Sequence, residues 1–152
     1  MPVSGLAEQR ILVVEDSAVV AFDVAAVLVQ LGARLAGPVA SVGAAWPFLE
    51  SALDGAVLDY RLGGETSRSI AQQLAVRGTP VLFITAHGVK AVASEVPSAP
   101  VLAKPFTQQD LEAALLRVFA KTDDAPAEPR PLACPAGRLS ARRARRALRS
   151  RR

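Results

Sequence analysis

Residues 10–17 read RILVVEDS, and this stretch decides the fold. The run from Ile11 to Val14 is short, apolar and rich in β-branched residues, which is typical of a strand covered on both faces. Two acids, Glu15 and Asp16, follow directly at its carboxyl end, and Ser17 is a residue type that begins helices. The stretch therefore predicts a strand, an acidic turn and a helix, which together form the first half of a repeating unit.

The same pattern recurs along the chain. Helices are predicted over residues 17–31, 41–52, 67–77, 89–96 and 107–121, and strands over residues 11–14, 34–37, 55–59, 80–85 and 101–103. Five alternations of strand and helix predict a doubly wound α/β domain around a five-stranded parallel sheet.

Chemically active side chains follow four of these strands. Glu15 and Asp16 follow the first, and Asp59, Thr85 and Lys104 end or follow the third, fourth and fifth. Because the carboxyl ends of parallel strands meet in one crevice, we expect all five side chains to converge there.

Three segments carry weaker or conflicting signals. Pro47 lies inside the second predicted helix and removes a helical hydrogen bond, so we expect a kink or a late start. The segment LGGETS, residues 62–67, is predicted to be a flexible connection. Gly88 and the prolines at 97 and 100 leave room for only a short or poorly formed fourth helix.

Thr107 and Asp110 resemble a capping box at the start of the last helix.

Charge is segregated between two parts of the chain. Residues 1–121 carry 9 basic and 11 acidic side chains, whereas residues 122–152 carry 9 arginines and 3 acids. Residues 123–137 contain four prolines and no apolar period, and eight of the nine arginines follow them. We therefore expect one folded domain over residues 1–121 and a disordered tail, Pro-rich and then Arg-rich, over residues 122–152.

Composition excludes several classes of protein. The single cysteine, Cys134, allows no intramolecular disulfide and no thiolate metal cluster. The N-terminal segment has no apolar signal region, and no apolar stretch is long enough to cross a bilayer. A cytoplasmic protein without a membrane partner is therefore expected.

Crowded carboxylates at the predicted crevice require a cation. Glu15, Asp16 and Asp59 would repel one another there and raise at least one pKa. Mg²⁺ suits such a group, because it takes oxygen ligands and keeps several waters. The expected cofactor is therefore Mg²⁺, which would also offset negative charge during phosphoryl transfer.

A phosphoryl site can be built from the remaining residues. Asp59 is the candidate nucleophile, since aspartate can carry a covalent acyl phosphate. Lys104 would hold the phosphoryl oxygens through its charge, while the Thr85 hydroxyl and the Ala86 backbone amide would donate hydrogen bonds to them.

Four motifs in the same order resemble one family. VVEDS (residues 13–17), VLDYRL (57–62), FITAHG (83–88) and AKPF (103–106) are similar to the motifs of response regulator receiver domains, the CheY-like domains of bacterial two-component systems. The resemblance implies a flavodoxin-like sheet with strand order 2-1-3-4-5. It makes Glu15 and Asp16 the acidic metal-binding pair and Asp59 the phosphoacceptor.

The resemblance assigns further roles. Thr85 would be the switch hydroxyl, Lys104 the phosphate-sensing lysine followed by a cis bond to Pro105, and the backbone carbonyl of Arg61 a metal ligand. FITAHG and the short fourth helix resemble a single-domain subgroup whose fourth strand ends in a Phe-Ala-Thr-Gly type sequence. One departure concerns Val101, because many receivers carry at this position an aromatic residue that moves with the threonine.

The predicted function is therefore two-component signal transduction by a stand-alone receiver that is not an enzyme but assists its own phosphorylation and dephosphorylation. A histidine kinase or histidine phosphotransfer protein would phosphorylate Asp59, and an unknown downstream protein would read the result. The first helix carries a second apolar line that includes Val19 and Phe22. The alternatives for this line are burial and docking of the phosphodonor, with Pro105 as a further candidate docking residue.

Two other functions stay open. The Arg-rich tail could bind nucleic acid through sequence-independent phosphate contacts, with the receiver as its regulator, but no aromatic residues are interleaved for base stacking. Nucleic acid is therefore not the expected partner. The Asp, Thr and Lys set also resembles aspartyl-nucleophile phosphatases, but those need a second acid two positions after the nucleophile, and Arg61 stands there.

Overall fold

The computed structural model describes residues 5–121 except His87 and Pro97. The predicted disordered tail over residues 122–152 lies outside the described residues, as does its Cys134. No helix in the described part of the chain is long and apolar enough to cross a membrane.

A five-stranded sheet forms the centre of the domain. Its strands are β1 (Arg10–Val14), β2 (Arg34–Val39), β3 (Gly55–Asp59), β4 (Val81–Thr85) and β5 (Val101–Ala103). All neighbouring pairs are parallel, and the spatial order is β2-β1-β3-β4-β5. This confirms the predicted flavodoxin-like order, in which the strand sequence reverses between β1 and β3.

Five helices connect the strands. They are α1 (Ala18–Gln30), α2 (Val42–Leu49), α3 (Arg68–Val76), α4 (Val89–Glu95) and α5 (Gln108–Phe119). The capping box of α5 is present, since the Thr107 hydroxyl accepts from the Asp110 amide and the Asp110 carboxylate accepts from the Thr107 amide, each at 3.0 Å. Helix α4 has only seven residues, as the glycine and proline content around it predicted.

Helices cover both faces of the sheet, which explains the continuous apolar strands. Along β1, Ile11 and Val13 pack into a core formed with α1 and α5, while Leu12 and Val14 pack into a second core formed with α2, α3 and α4. Every residue of β3 is likewise buried. The carboxyl ends of β1, β3, β4 and β5 therefore share one edge of a rigid platform.

The late start allowed for α2 and the flexible connection predicted over residues 62–67 are wrong, whereas the alternative of a kink at Pro47 stays a prediction. Helix α2 begins without delay at Val42, behind a Ser41 cap, and ends at Leu49 rather than Ala52, with Pro47 inside it. Burial of the apolar face of α2 offsets the hydrogen bond that Pro47 cannot donate. The segment predicted to be a flexible connection contains an antiparallel hairpin, in which Arg61–Leu62 pairs with Glu65–Thr66.

Two substitutions of glycine by alanine test the packing of this fold. A Cβ at Gly55 would lie 2.5 Å from the Phe119 ring of α5, whereas one at Gly43 on α2 meets nothing within 4 Å. We expect Gly55→Ala to lower the free energy of unfolding by about 1–3 kcal/mol through overpacking. Gly43→Ala should raise it by about 0.5–1 kcal/mol through helix propensity. Urea denaturation measures both, and equal stability of Gly55→Ala and the unsubstituted protein would contradict the packing described.

Candidate functional site

Three carboxylates meet at the carboxyl edge of the sheet. One oxygen from each of Glu15, Asp16 and Asp59 lies within 4.8 Å of the others. Glu15 and Asp59 are buried, whereas Asp16 is exposed. The cluster therefore has a desolvated floor and an open mouth, and its hard oxygen donors fit a divalent cation such as Mg²⁺.

The turn after β1 holds Glu15 through its backbone and its side chain. Its amide donates to the Val39 carbonyl at 2.9 Å, which continues the pairing of β1 with β2. One carboxylate oxygen, Oε1, accepts the Ser17 amide at 3.0 Å. Ser17 also caps α1, so the start of the helix fixes the Glu15 carboxylate.

The hairpin after β3, residues 61–66, contacts the exposed acid of the cluster, Asp16. The Gly63 amide donates to Oδ2 of Asp16 at 3.3 Å across the mouth of the cluster. Gly63 has a φ of 62°, which glycine adopts without steric cost. Sequence reasoning missed this contact because it treated residues 62–67 as a flexible connection, although the glycine pair was a turn signal.

Lys104 joins the two buried carboxylates. Its ammonium nitrogen lies 2.9 Å from Oε2 of Glu15 and 3.2 Å from Oδ2 of Asp59. The Lys104 amide also donates to the Thr85 carbonyl at 2.8 Å, and the following peptide bond to Pro105 is cis, as predicted. Oε2 of Glu15 is buried, and the ion pair with Lys104 is the contact that compensates its charge.

Burial dominates the ionisation of Glu15. Desolvation raises the pKa of Glu15 from 4.5 to about 7, against the lowering effects of the Ser17 amide and Lys104, and Asp59 adds to the rise. A buried carboxyl beside another carboxylate keeps its proton unless positive charge compensates. A bound divalent cation would supply such charge and release the proton.

The pKa values of Lys104 and Asp16 are shifted in the directions that favour their charged forms. Burial lowers the pKa of Lys104, but its contacts with Glu15 and Asp59 outweigh burial and raise it. Slight burial likewise raises the pKa of Asp16, but hydrogen bonds with Glu15, the Gly63 amide and Asp59 outweigh this and lower it. Both groups are therefore ionised near neutral pH, and the cluster keeps one permanent cation.

The remaining predicted site residues surround this cluster. Thr85 ends β4 and is 2% exposed, while Ala86 after it is exposed. Arg61 is exposed at the base of the hairpin. Strand alternation puts it on the same face as Asp59, since the residues between and beyond them, Tyr60 and Leu62, pack into the α2, α3 and α4 core.

The predicted docking residues lie outside the cluster. Val19 and Phe22 on α1 are each 72% exposed, and Pro105 is also exposed. A groove of about 280 Å³ separates α1 from the start of α5; it is lined by Asp23, Ala26, Val27, Gln30, Phe106, Gln108 and Leu111. Val19 and Phe22 in the second apolar line of α1 are therefore exposed to solvent. This excludes burial, which was one of the two alternatives for this line.

Comparisons with known proteins give matches of structure. No family model matches the chain, and no curated protein matches it. A response regulator receiver protein from Sinorhizobium medicae is 28% identical with a TM-score of 0.65, over 72% of this chain and 95% of that one. SdrG from Sphingomonas melonis is 36% identical with a TM-score of 0.63, over 73% of this chain and 94% of that one.

A third solved structure bears on the metal. The receiver domain of the sensor histidine kinase PA1611 from Pseudomonas aeruginosa, solved with magnesium coordinated in its active site cleft, is 29% identical with a TM-score of 0.63. The match covers 74% of this chain and 98% of that one. The described part of the present chain therefore has the fold of response regulator receiver domains, and its acidic cluster is compatible with magnesium.

The raised pKa of Glu15 predicts an inverse dependence of stability on pH. Without a divalent ion, the folded protein holds a proton on Glu15 between pH 4.5 and about 7 that the unfolded chain has released. This contribution to stability is therefore complete below pH 4.5 and is lost as pH rises through about 7. We expect the loss to be about 1–3 kcal/mol.

Urea unfolding at a series of pH values, with and without Mg²⁺, measures this effect. Glu15→Gln should remove this loss because its amide does not titrate, and Mg²⁺ should restore the stability of the unsubstituted protein at the upper end of the range because it binds the ionised form. The same fall of stability with pH in Glu15→Gln and in the unsubstituted protein would contradict the assignment.

Proposed function

We propose that this chain is a receiver of two-component signalling, phosphorylated on Asp59 by a histidine kinase or a histidine phosphotransfer protein. One observation carries the proposal: Lys104 lies at contact distance from both Glu15 and Asp59, within a cluster of three carboxylates on a receiver-type fold. The similarity of the fold to receiver domains supports two-component signalling as the setting.

The proposed reaction transfers a phosphoryl group from a phosphohistidine. An oxygen of Asp59 attacks phosphorus, the P–N bond breaks, and the imidazole leaves with its electron pair and takes up a proton. The Lys104 ammonium forms an ion pair with the phosphoryl oxygens, and the Thr85 hydroxyl and the Ala86 amide donate hydrogen bonds to them. Such a transfer depends mainly on positioning and charge, which the buried platform under Asp59 provides.

The donor set fits magnesium in this function. Glu15, Asp16 and Asp59 would hold the ion together with the Arg61 backbone carbonyl. When bound, Mg²⁺ supplies positive charge that offsets the negative charge of the phosphoryl oxygens. The buried oxygen Oε2 of Glu15, which has no aligned hydrogen bond among the described residues, is the group that gains most from it.

The readout is protein–protein interaction in the cytoplasm. We assign the chain to the single-domain subgroup with a Phe-Ala-Thr-Gly type fourth strand, because FITAHG and the seven-residue α4 both resemble it. The proposed docking surface for the phosphodonor is the exposed line of Val19 and Phe22 on α1. It also includes the exposed Pro105, which directly follows Lys104 in the sequence. A downstream protein would then distinguish the two states of Asp59.

Removal of the nucleophile tests the phosphoacceptor. Asp59→Asn should reduce labelling by a radioactive small acyl phosphate with Mg²⁺ to background, because an amide is a poor nucleophile. The matched control is Asp54→Asn, since Asp54 lies at the opposite end of β3, where its carboxylate accepts the Arg10 amide at 2.9 Å. Asp54→Asn should label like the unsubstituted protein. Undiminished labelling of Asp59→Asn would refute the assignment.

Charge on α1 tests the docking surface. Phe22→Asp should slow phosphotransfer from a histidine phosphotransfer protein roughly tenfold, which corresponds to about 1.4 kcal/mol of lost docking free energy, while leaving labelling by a small acyl phosphate unchanged. Val76→Asp is the control, because Val76 is 86% exposed on α3. It should leave both rates unchanged. Equal transfer rates for Phe22→Asp and Val76→Asp would place docking elsewhere.

A further inference from the structure

Tyr60 is a buried polar residue that the proposed phosphoryl chemistry does not use. It is the chain's only tyrosine and is 4% exposed. Its hydroxyl oxygen is buried without a hydrogen-bond partner among the described residues. Leaving a buried hydroxyl unpaired costs free energy, so this conformation is unfavourable for the Tyr60 side chain.

The residue connects the phosphoacceptor with β4. It follows Asp59 directly, and its amide donates to the Ile84 carbonyl at 2.9 Å, one residue before Thr85. Its ring packs edge to face against Phe83, with centroids 5.7 Å apart and planes at 75°. A change at Asp59 or at the end of β4 therefore reaches the Tyr60 ring through covalent and packing contacts.

Helix α4 lies above the same core with little to hold it. All seven residues of α4 are described, and Val92 alone is buried. Val92 belongs to the cluster that contains Tyr60 and Phe83. An element with one buried anchor can move at low cost. Val101, which pairs with Phe83 on β5, is aliphatic and half-buried. Tyr60 is the only tyrosine in the sequence, so it supplies the only phenol hydroxyl in the core that contains Val92.

We propose that Tyr60 couples the phosphorylation of Asp59 to the position of α4. In the phosphorylated protein the Tyr60 hydroxyl gains a hydrogen-bond partner that none of the described residues supplies in the present conformation, and α4 moves with this change. The inference rests on the proposed phosphorylation of Asp59 and names the regulation that follows from it.

The free-energy difference that drives the movement follows from the hydroxyl. A covalent or bound group shifts an equilibrium between two conformations only if its interactions differ between them. A phenol that is unpaired in one conformation and paired in the other makes such a difference. Removing the Tyr60 hydroxyl should therefore reduce the free-energy difference between the two conformations. The atoms that react at Asp59 are left unchanged.

Substitution by phenylalanine tests the coupling. Tyr60→Phe keeps the ring on Phe83 and removes only the hydroxyl. Both proteins are treated with beryllofluoride and Mg²⁺, and amide NMR follows residues 89–95. We expect Tyr60→Phe to retain labelling of Asp59 by a small acyl phosphate and to lose about half or more of the α4 shifts, because one state-dependent hydrogen bond is gone.

Two further measurements separate the possible failures. Ser67→Ala removes another buried hydroxyl that lacks a partner among the described residues, and it should keep the α4 shifts of the unsubstituted protein. Because the chain has one tyrosine, ring-labelled protein gives one tyrosine signal, which should shift with beryllofluoride. Unchanged α4 shifts in Tyr60→Phe, with labelling intact, would overturn the coupling. Absence of labelling in the unsubstituted protein would instead refute the proposed function.

Discussion

The ion pairs of Lys104 with Glu15 and Asp59 are the constraint on which the rest of the site depends. Two buried carboxylates at 2.9 and 3.2 Å from one ammonium group are tolerable only because that cation is present. Their mutual repulsion is still visible in the pKa of Glu15, which burial raises to about 7. The three acids of the site thus face a single ammonium group, and this charge balance is compatible with the binding of a divalent cation such as Mg²⁺.

The fold makes this unfavourable arrangement possible. Residues of β1 and β3 are buried on both faces of the sheet, so the backbone beneath Glu15 and Asp59 has two hydrophobic cores to stabilise it. The large burial of apolar surface in these cores offsets the cost of crowding acids at the strand ends. The candidate site therefore lies at one edge of the sheet, while the interior of the sheet supplies the stability.

Much of this was readable from the sequence because it rests on local patterns. The apolar runs fixed β3 and β5 to the residue, and Thr107 with Asp110 fixed the cap of α5. The convergence of Glu15, Asp16 and Asp59 followed from the general rule for parallel sheets. The exposed state of Phe22 did not follow, because helix periodicity shows which residues share a face but not whether that face is covered.

The parts that sequence reasoning missed depend on contacts between distant residues. The hairpin after β3 is held to the site by the Gly63 amide and Asp16, which are far apart in the chain. Gly37 needs its φ of +86°, and a Cβ there would press on the Val13 carbonyl of the neighbouring strand. The sequence also gives no signal at Tyr60, since only coordinates reveal that its hydroxyl is buried and unpaired among the described residues.

The proposed phosphorylation of Asp59, helped by a divalent cation at the acidic cluster, can be tested at the modified residue itself. Borohydride reduction of the protein after incubation with a small acyl phosphate converts an aspartyl phosphate to homoserine, and peptide mass spectrometry then locates the converted residue. We expect homoserine at position 59 when Mg²⁺ is present and none after chelation. Conversion at another residue, or equal conversion with and without Mg²⁺, would contradict it.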